Sequence, residues 1–158
     1  MQLRVYKEAP NAKLPTKAHG SDHCWDLYAS KDTEIHDECT VIVETGIRIE
    51  PPIGYALIVK ERSGLATKGI IIGAGVIDTS YRGPLNVVMR YLKPSWLISK
   101  SDAFKIKTGD KIAQFKLEKT IEAEVIEISK EEFNLNTERG ERGFGSSDNR
   151  MNMSGRYT

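Results

Sequence analysis

Residues 40–49 read TVIVETGIRI, and in this run Val41, Val43, Thr45, Ile47 and Ile49 fall on one face of an extended chain while Ile42, Glu44, Gly46 and Arg48 fall on the other. Side chains two residues apart share a face of a strand, so the first set is expected to lie against a core. Pro51, Pro52 and Gly54 then turn the chain into residues 55–61, YALIVKE, a second strand that should end at Arg62. On both sides of this region short segments rich in Val, Ile, Tyr and Thr recur between Gly, Pro, Asn and Asp. That pattern predicts an all-β chain of many short strands.

Residues 63–68, SGLATK, are the best candidate for a short helix, with Ser63 as its cap and Leu65, Ala66 and Lys68 as good helix formers. Residues 75–92, GVIDTSYRGPLNVVMRYL, predict a hairpin: Val76 and Ile77, a polar tip at residues 78–80, and a return strand over 85–92, with Pro84 at an edge or bend. Two more strands are expected at 104–106 and 111–117, separated by a turn at Thr108-Gly109-Asp110. Residues 122–128 alternate more weakly and suggest a strand that pairs outside its own subunit. The expected division is one domain over residues 1–130 and a flexible C-terminal arm over 131–158, where four glycines at 140, 143, 145 and 155 raise the entropy cost of ordering.

A chain of 158 residues fits one domain, and burying about 70% of its unfolded surface gives a core without staples. Lys plus Arg number 23 and Asp plus Glu 22, so no general basic field exists to hold a nucleic-acid backbone, and any anion must be met locally. Cys24 and Cys39 form no CxxC pair, which argues against structural zinc and for reduced thiols. There is neither a signal-like apolar run at the start nor a stretch of about 18 apolar residues to span a bilayer. The expectation is an intracellular protein, cytoplasmic or nuclear, with no membrane partner.

Three segments carry polar groups in chemically suggestive patterns. ERSGLATKG (61–69) places an arginine, a hydroxyl and backbone amides together, which suits a phosphate as well as an ordinary solvated cap. RGERGFGSS (139–147) offers arginines, hydroxyls and glycines that let amides approach an anion, though a basic tail would look similar. Asp78 could take a proton from water, and Tyr81 three residues later could present a flat face to a sugar, although a turn aspartate is common.

Their order is more specific than any one of them. WDLYA (25–29), ERSGLATKGI (61–70), GAGVIDTSYRG (73–83), GDKIAQ (109–114) and RGERGFGSS (139–147) resemble, in order and approximate spacing, the five motifs of trimeric dUTPases, over nearly the whole chain. The resemblance implies a jelly-roll-like β-barrel subunit and a homotrimer with three shared active sites. It implies magnesium-dependent hydrolysis of dUTP to dUMP and pyrophosphate, an activity that limits uracil incorporation into DNA and supplies dUMP for thymidylate synthesis. Asp78 matches the carboxylate that activates water for attack on the α-phosphorus. Tyr81 matches the tyrosine packed on deoxyribose, and the backbone of Gly75, Val76 and Ile77 would read the uracil edge. Arg62, Ser63 and Gly64 match the holder of the α- and β-phosphates, supplied by a neighbouring subunit, and Gln114 matches a phosphate contact. Arg139, Phe144, Gly145 and Ser146 match an arm that folds over the nucleotide and stacks its aromatic on uracil. Asp26 matches the acid linked to Mg2+ through water, as suits an ion that keeps several waters.

The chain departs from the family pattern in places. Ser21, Asp22, His23, Cys24 and Trp25 replace smaller residues, which questions the local packing; His23 and Cys24 would point to opposite faces of a strand and so make a poor metal pair. Glu61 stands where proline is more usual and adds negative charge near the phosphate segment. Ser80 replaces a frequent acid, and Glu141, Arg142 and Asp148 replace small residues of the arm. Two other readings compete. dCTP deamination on the same fold would need a carboxylate on the strand after Asp78, and PLNVVMRYL has none. A non-catalytic binding module is the other, suggested by the first motif.

Overall fold

The structure is a computed structural model and describes residues 1–96, 103–133 and 135–142. By its contacts the chain divides into two units, Met1–Ile121 and Glu122–Thr158. The first unit is built of strands β1 (Arg4–Lys7), β2 (Trp25–Tyr28), β3 (Thr33–His36), β4 (Thr40–Glu44), β5 (Ile47–Glu50) and β6 (Tyr55–Lys60), one helical turn α1 (Ser63–Ala66), and strands β7 (Ile70–Gly73), β8 (Val76–Ile77), β9 (Asn86–Tyr91), β10 (Ala103–Ile106) and β11 (Lys111–Lys119). The all-β expectation holds. A four-stranded sheet runs β2-β11-β6-β8, a three-stranded sheet β4-β9-β7, and the pairs β1-β5 and β3-β10 complete the unit, every pairing antiparallel. No described helix is long and apolar enough to cross a membrane.

One core lies between these sheets, with Leu27, Ile35, Leu57, Tyr91 and Phe115 among its fully covered side chains, each such burial stabilising the fold by about 1.5–3 kcal/mol. From residues 40–49, Val43, Thr45, Ile47 and Ile49 are buried and Val41 is half-buried, as the alternation predicts. The run is nevertheless two strands. Gly46 sits at φ 66°, and a Cβ there would lie 2.8 Å from the Ala9 Cβ, so glycine alone fits. At that break the chain changes partner, from β9 for β4 to β1 for β5.

The hairpin expected over 75–92 does not form. β8 pairs with β6, while β9 pairs with β4 and β7, so the segment crosses from one sheet to the other. Local bonds turn it there: Tyr81 N–H donates to Asp78 O at 3.1 Å and Thr79 Oγ1 to Tyr55 O at 2.7 Å, and Leu85 N–H joins Ile47 O at 2.8 Å. The helix starts one residue earlier in role than expected, with Arg62 as its N-cap and Ser63 already inside it.

The turn at Thr108-Gly109-Asp110 is present, with Gly109 at φ 87° and Asp110 N–H bonded to Lys107 O at 2.9 Å. Asp32 clamps it, accepting from Lys107 Nζ at 2.7 Å and from Thr108 N–H at 2.8 Å. These bonds, Lys107 foremost, lower the Asp32 pKa to about 2. In the second unit residues 122–128 form no strand, and Val125 is 96% exposed. An isolated strand has no ladder to satisfy its amides, so within one chain this segment stays unpaired.

Candidate active site

β2 and β11 lie side by side with Gln114 opposite Asp26 and Lys111 opposite Tyr28, and a bulge between Lys111 and Ala113 shifts the register. Without it, residues 111 and 114 would face opposite sides of the sheet. With the extra residue, both turn to the side of Asp26, a re-aiming that bulges commonly provide. Asp26 is 8% exposed, and each of its oxygens is engaged: Arg62 Nε donates to Oδ1 at 2.8 Å, and Lys111 Nζ lies 2.7 Å from Oδ2. The Lys111 ammonium is held above the ordinary lysine value, chiefly by its hydrogen bond to Asp26. Lys111 was not singled out in the sequence, although it stands inside GDKIAQ.

Asp26, Arg62, Ser63, Gly64 and Gln114 line one open cleft of about 590 Å³, together with Ala18, Asp22, His23 and Cys24. The structure thus brings together every phosphate-segment residue expected from the sequence except those of the arm. The bulk of the first motif is accommodated: Trp25 stacks on Phe115 with ring centroids 5.5 Å apart, and Lys17 Nζ sits 4.2 Å over the Trp25 ring. The strand-alternation argument for His23 and Cys24 does not apply, because β2 begins only at Trp25 and both residues line the cleft. Among the described residues no group of three or more His, Cys, Asp or Glu could hold a metal ion by itself.

Glu61 turns away from the phosphate segment. Its carboxylate accepts the Ile72 N–H at 3.0 Å, and its carbonyl accepts from Gln114 Nε2 at 2.7 Å. The Ile72 amide, then the residue's own amide, hold this carboxyl below the usual glutamate range against a partial burial that raises it.

Asp78 and Tyr81 sit elsewhere. With Val76, Ile77, Ile42, Pro84, Asn86 and Val88 they line a second cleft of about 240 Å³ that shares no residue with the first. β8 is the edge of its sheet, so the peptide groups of Val76 and Ile77 face β6 on one side only. Gly75 fixes that edge: its carbonyl accepts Val59 N–H at 2.7 Å, and a Cβ on it would lie 2.4 Å from Val59 O. Asp78 is exposed; Tyr81 is 44% exposed, and its hydroxyl donates to Pro84 O at 3.2 Å. Of the arm residues, Arg139 is exposed and its Nε donates to Arg142 O at 2.8 Å. Phe144, Gly145 and Ser146 lie outside the described residues.

The chain thus presents a buried acid holding two cations near a serine and a glycine, and, in a separate cleft, an exposed acid beside a tyrosine next to a sheet edge. Known proteins match the chain in sequence and fold. A family model described as dUTPase matches residues 10–148. The chain is 46% identical over 145 residues to the deoxyuridine 5'-triphosphate nucleotidohydrolase of Candida albicans, covering 91% of this chain and 86% of that one. It is 35% identical over 150 residues to the Mycobacterium tuberculosis protein of the same name, covering 92% and 94%. Among solved structures, the G164S mutant of the Staphylococcus bacteriophage 80alpha dUTPase with dUpNHpp is similar with a TM-score of 0.81 at 24% identity, over 92% of this chain and 98% of that one. A dUTPase of phage phi11 of S. aureus, whose structure coordinates a structural Mg(II) ion, gives a TM-score of 0.75 at 22% identity over 84% and 100%. These likenesses make the all-β arrangement the jelly-roll-like dUTPase fold, and the chain belongs to the dUTPase family.

Proposed function

We propose that the protein hydrolyses dUTP to dUMP and pyrophosphate by attack of water on the α-phosphorus, in a site shared between the chains of a homotrimer. One observation carries the reading: Asp26, Arg62, Ser63, Gly64 and Gln114 line a single cleft in a chain that matches the dUTPase model over residues 10–148. Arg62 and Lys111 together bring two positive charges to one buried carboxylate. Arg62 itself lines the cleft and offers its guanidinium to a phosphate there. Ser63 and Gly64 add amides at the first helical positions, which have no partner within the helix.

The nucleoside end belongs to the second cleft. The open edge of Val76 and Ile77 offers backbone donors and acceptors to uracil, and the exposed Tyr81 ring packs against a deoxyribose, leaving no room for a 2′-hydroxyl. Asp78 orients and deprotonates the water, a contribution of about 10²–10⁴-fold. In this reading the phosphate-holding residues of one chain serve the Asp78 of another, in keeping with two clefts that have no residue in common. Arg139, Phe144, Gly145 and Ser146, in an arm over residues 131–158, close on the bound nucleotide and exclude water.

Magnesium fits this cleft through water. Each Asp26 oxygen already accepts one cationic partner, which leaves room for a hydrated ion and not for a dedicated cage. Bound there, the ion would neutralise phosphate charge and ease the departure of pyrophosphate. β9, NVVMRY, carries no carboxylate to serve a deaminase. We infer that the protein works where deoxynucleotides are made and used, in the cytoplasm or nucleus. Pyrophosphate release from dUTP with magnesium tests the reading. Release from dUTP without ammonia from dCTP is expected, and a chain inert toward dUTP would overturn it.

A further inference from the structure

Glu61 joins two sheets at the residue that precedes the phosphate segment. Gln114, on β11, belongs to the sheet β2-β11-β6-β8 and donates its Nε2–H to the Glu61 carbonyl at 2.7 Å. Ile72, on β7, belongs to the sheet β4-β9-β7 and donates its amide to the Glu61 carboxylate at 3.0 Å. The next three residues, Arg62, Ser63 and Gly64, run from the N-cap into α1. Arg62 is held through its side chain by Asp26, while Ser63 and Gly64 are exposed and are positioned through their backbone. A backbone of this kind is only as fixed as the residue it leaves from. Glu61 is half-buried, so water competes only partly for its carboxylate.

We propose that Glu61 is a positioning residue, whose two hydrogen bonds to β7 and β11 set the Arg62-Ser63-Gly64 backbone for a diphosphate group. This rests on the reading that these residues hold the substrate phosphates. The side chain does in this chain, by hydrogen bonding, what a proline at position 61 would do by restricting its own backbone. Length of the side chain is then what matters, more than its charge. A glutamine keeps an acceptor oxygen at the same reach, and an aspartate keeps the charge one carbon short of the Ile72 amide.

The test is calorimetric titration of inorganic pyrophosphate, with magnesium present, into the parent chain and into Glu61→Ala, Glu61→Asp and Glu61→Gln, with dUTP hydrolysis by the parent measured alongside. Affinity is expected to fall about tenfold in the alanine and aspartate chains and to stay within about threefold of the parent in the glutamine chain. If the alanine chain fails to fold, the aspartate and glutamine chains decide. Aspartate near the parent and glutamine weak would show a charge effect and overturn the proposal, as would equal affinity in all chains or no binding to the parent. A parent that hydrolyses dUTP beside variants that bind pyrophosphate equally well removes the role of Glu61 alone. A parent inert toward dUTP whose affinities still follow the expected order removes the assigned reaction alone.

Discussion

Arg62 Nε donates to Asp26 Oδ1 at 2.8 Å while Lys111 Nζ holds the other oxygen at 2.7 Å, so one carboxylate fixes two cations, Arg62 on the cleft that Ser63, Gly64 and Gln114 also line and Lys111 on an adjoining one. The chain as a whole carries a formal charge of only +1, so this excess of cations over one carboxylate is a local feature. Arg62 comes from the connection after β6 and Lys111 from the start of β11, and Asp26 on β2 binds both.

Replacing Asp26 by alanine should therefore harm both fold and binding. The two cations would face each other without their shared partner. A loss of about 1–3 kcal/mol is expected, less than for a fully buried pair because both cations are partly exposed. Urea titration at low and at high salt checks it: the penalty should shrink as salt screens the repulsion.

Asp78 should behave in the opposite way. Its side chain is exposed and its replacement by asparagine removes a proton acceptor without changing shape. Turnover of dUTP is expected to drop about 10²–10⁴-fold, with melting temperature unchanged. Steady-state pyrophosphate release and thermal denaturation measure the two quantities. Unaltered turnover would deny Asp78 the role of base.

What was legible in the sequence and what was not divides along a physical line. The core face of residues 40–49 was legible because alternation is local, but Gly46 sat in the alternation without disturbing it, and the break at φ 66° shows only in the exchange of strand partners. Val76 and Asn86 looked like hairpin partners because they are near in sequence, whereas the pairing is long-range. Arg62, Ser63, Gly64 and Gln114 were found through ordered motifs, and they do meet. Lys111 was missed because it stands three residues from Gln114, a spacing that puts two strand residues on opposite faces unless a bulge intervenes. Glu61 was noted as an oddity, but its partner Ile72 is on a strand that the motif pattern does not relate to it.

Gly75 offers a test of the nucleoside edge. An alanine Cβ there would come within 2.4 Å of Val59 O, so β8 must move off β6 or the backbone must distort. Gly75→Ala is expected to cost about 1–3 kcal/mol. It should also raise the KM for dUTP if the shifted peptides are, as proposed, those that read uracil. Urea titration together with KM measurement checks both.

Asp32 gives a pH dependence of defined sign. Its folded pKa is about 2 against 3.8 for the free side chain, so the ionised form is favoured by folding. That stabilisation is fully present above pH 3.8 and is lost as pH falls through the folded value near 2. Asp32→Asn should lower the melting temperature at pH 5 and above, and its difference from the parent should narrow steadily below about pH 4. A constant difference across that range would show that the Lys107 and Thr108 contacts contribute nothing through charge.

The sharing of the site can be tested without another structure. Arg62 lines the cleft proposed for the phosphates and Asp78 the one proposed for the nucleoside, and the two clefts of one chain have no residue in common. If each active site takes Arg62 from one chain and Asp78 from a neighbour, Asp78→Asn and Arg62→Ala chains should be inactive alone and active together. In trimers assembled at random from equal amounts, a site is whole only when its Asp78 comes from an Arg62→Ala chain and its Arg62 from an Asp78→Asn chain. That occurs in about a quarter of sites, so mixing after joint refolding should restore about a quarter of the parent rate. A site contained within one chain would give no recovery at any mixing ratio, and sedimentation of the same mixtures would show whether three chains are present.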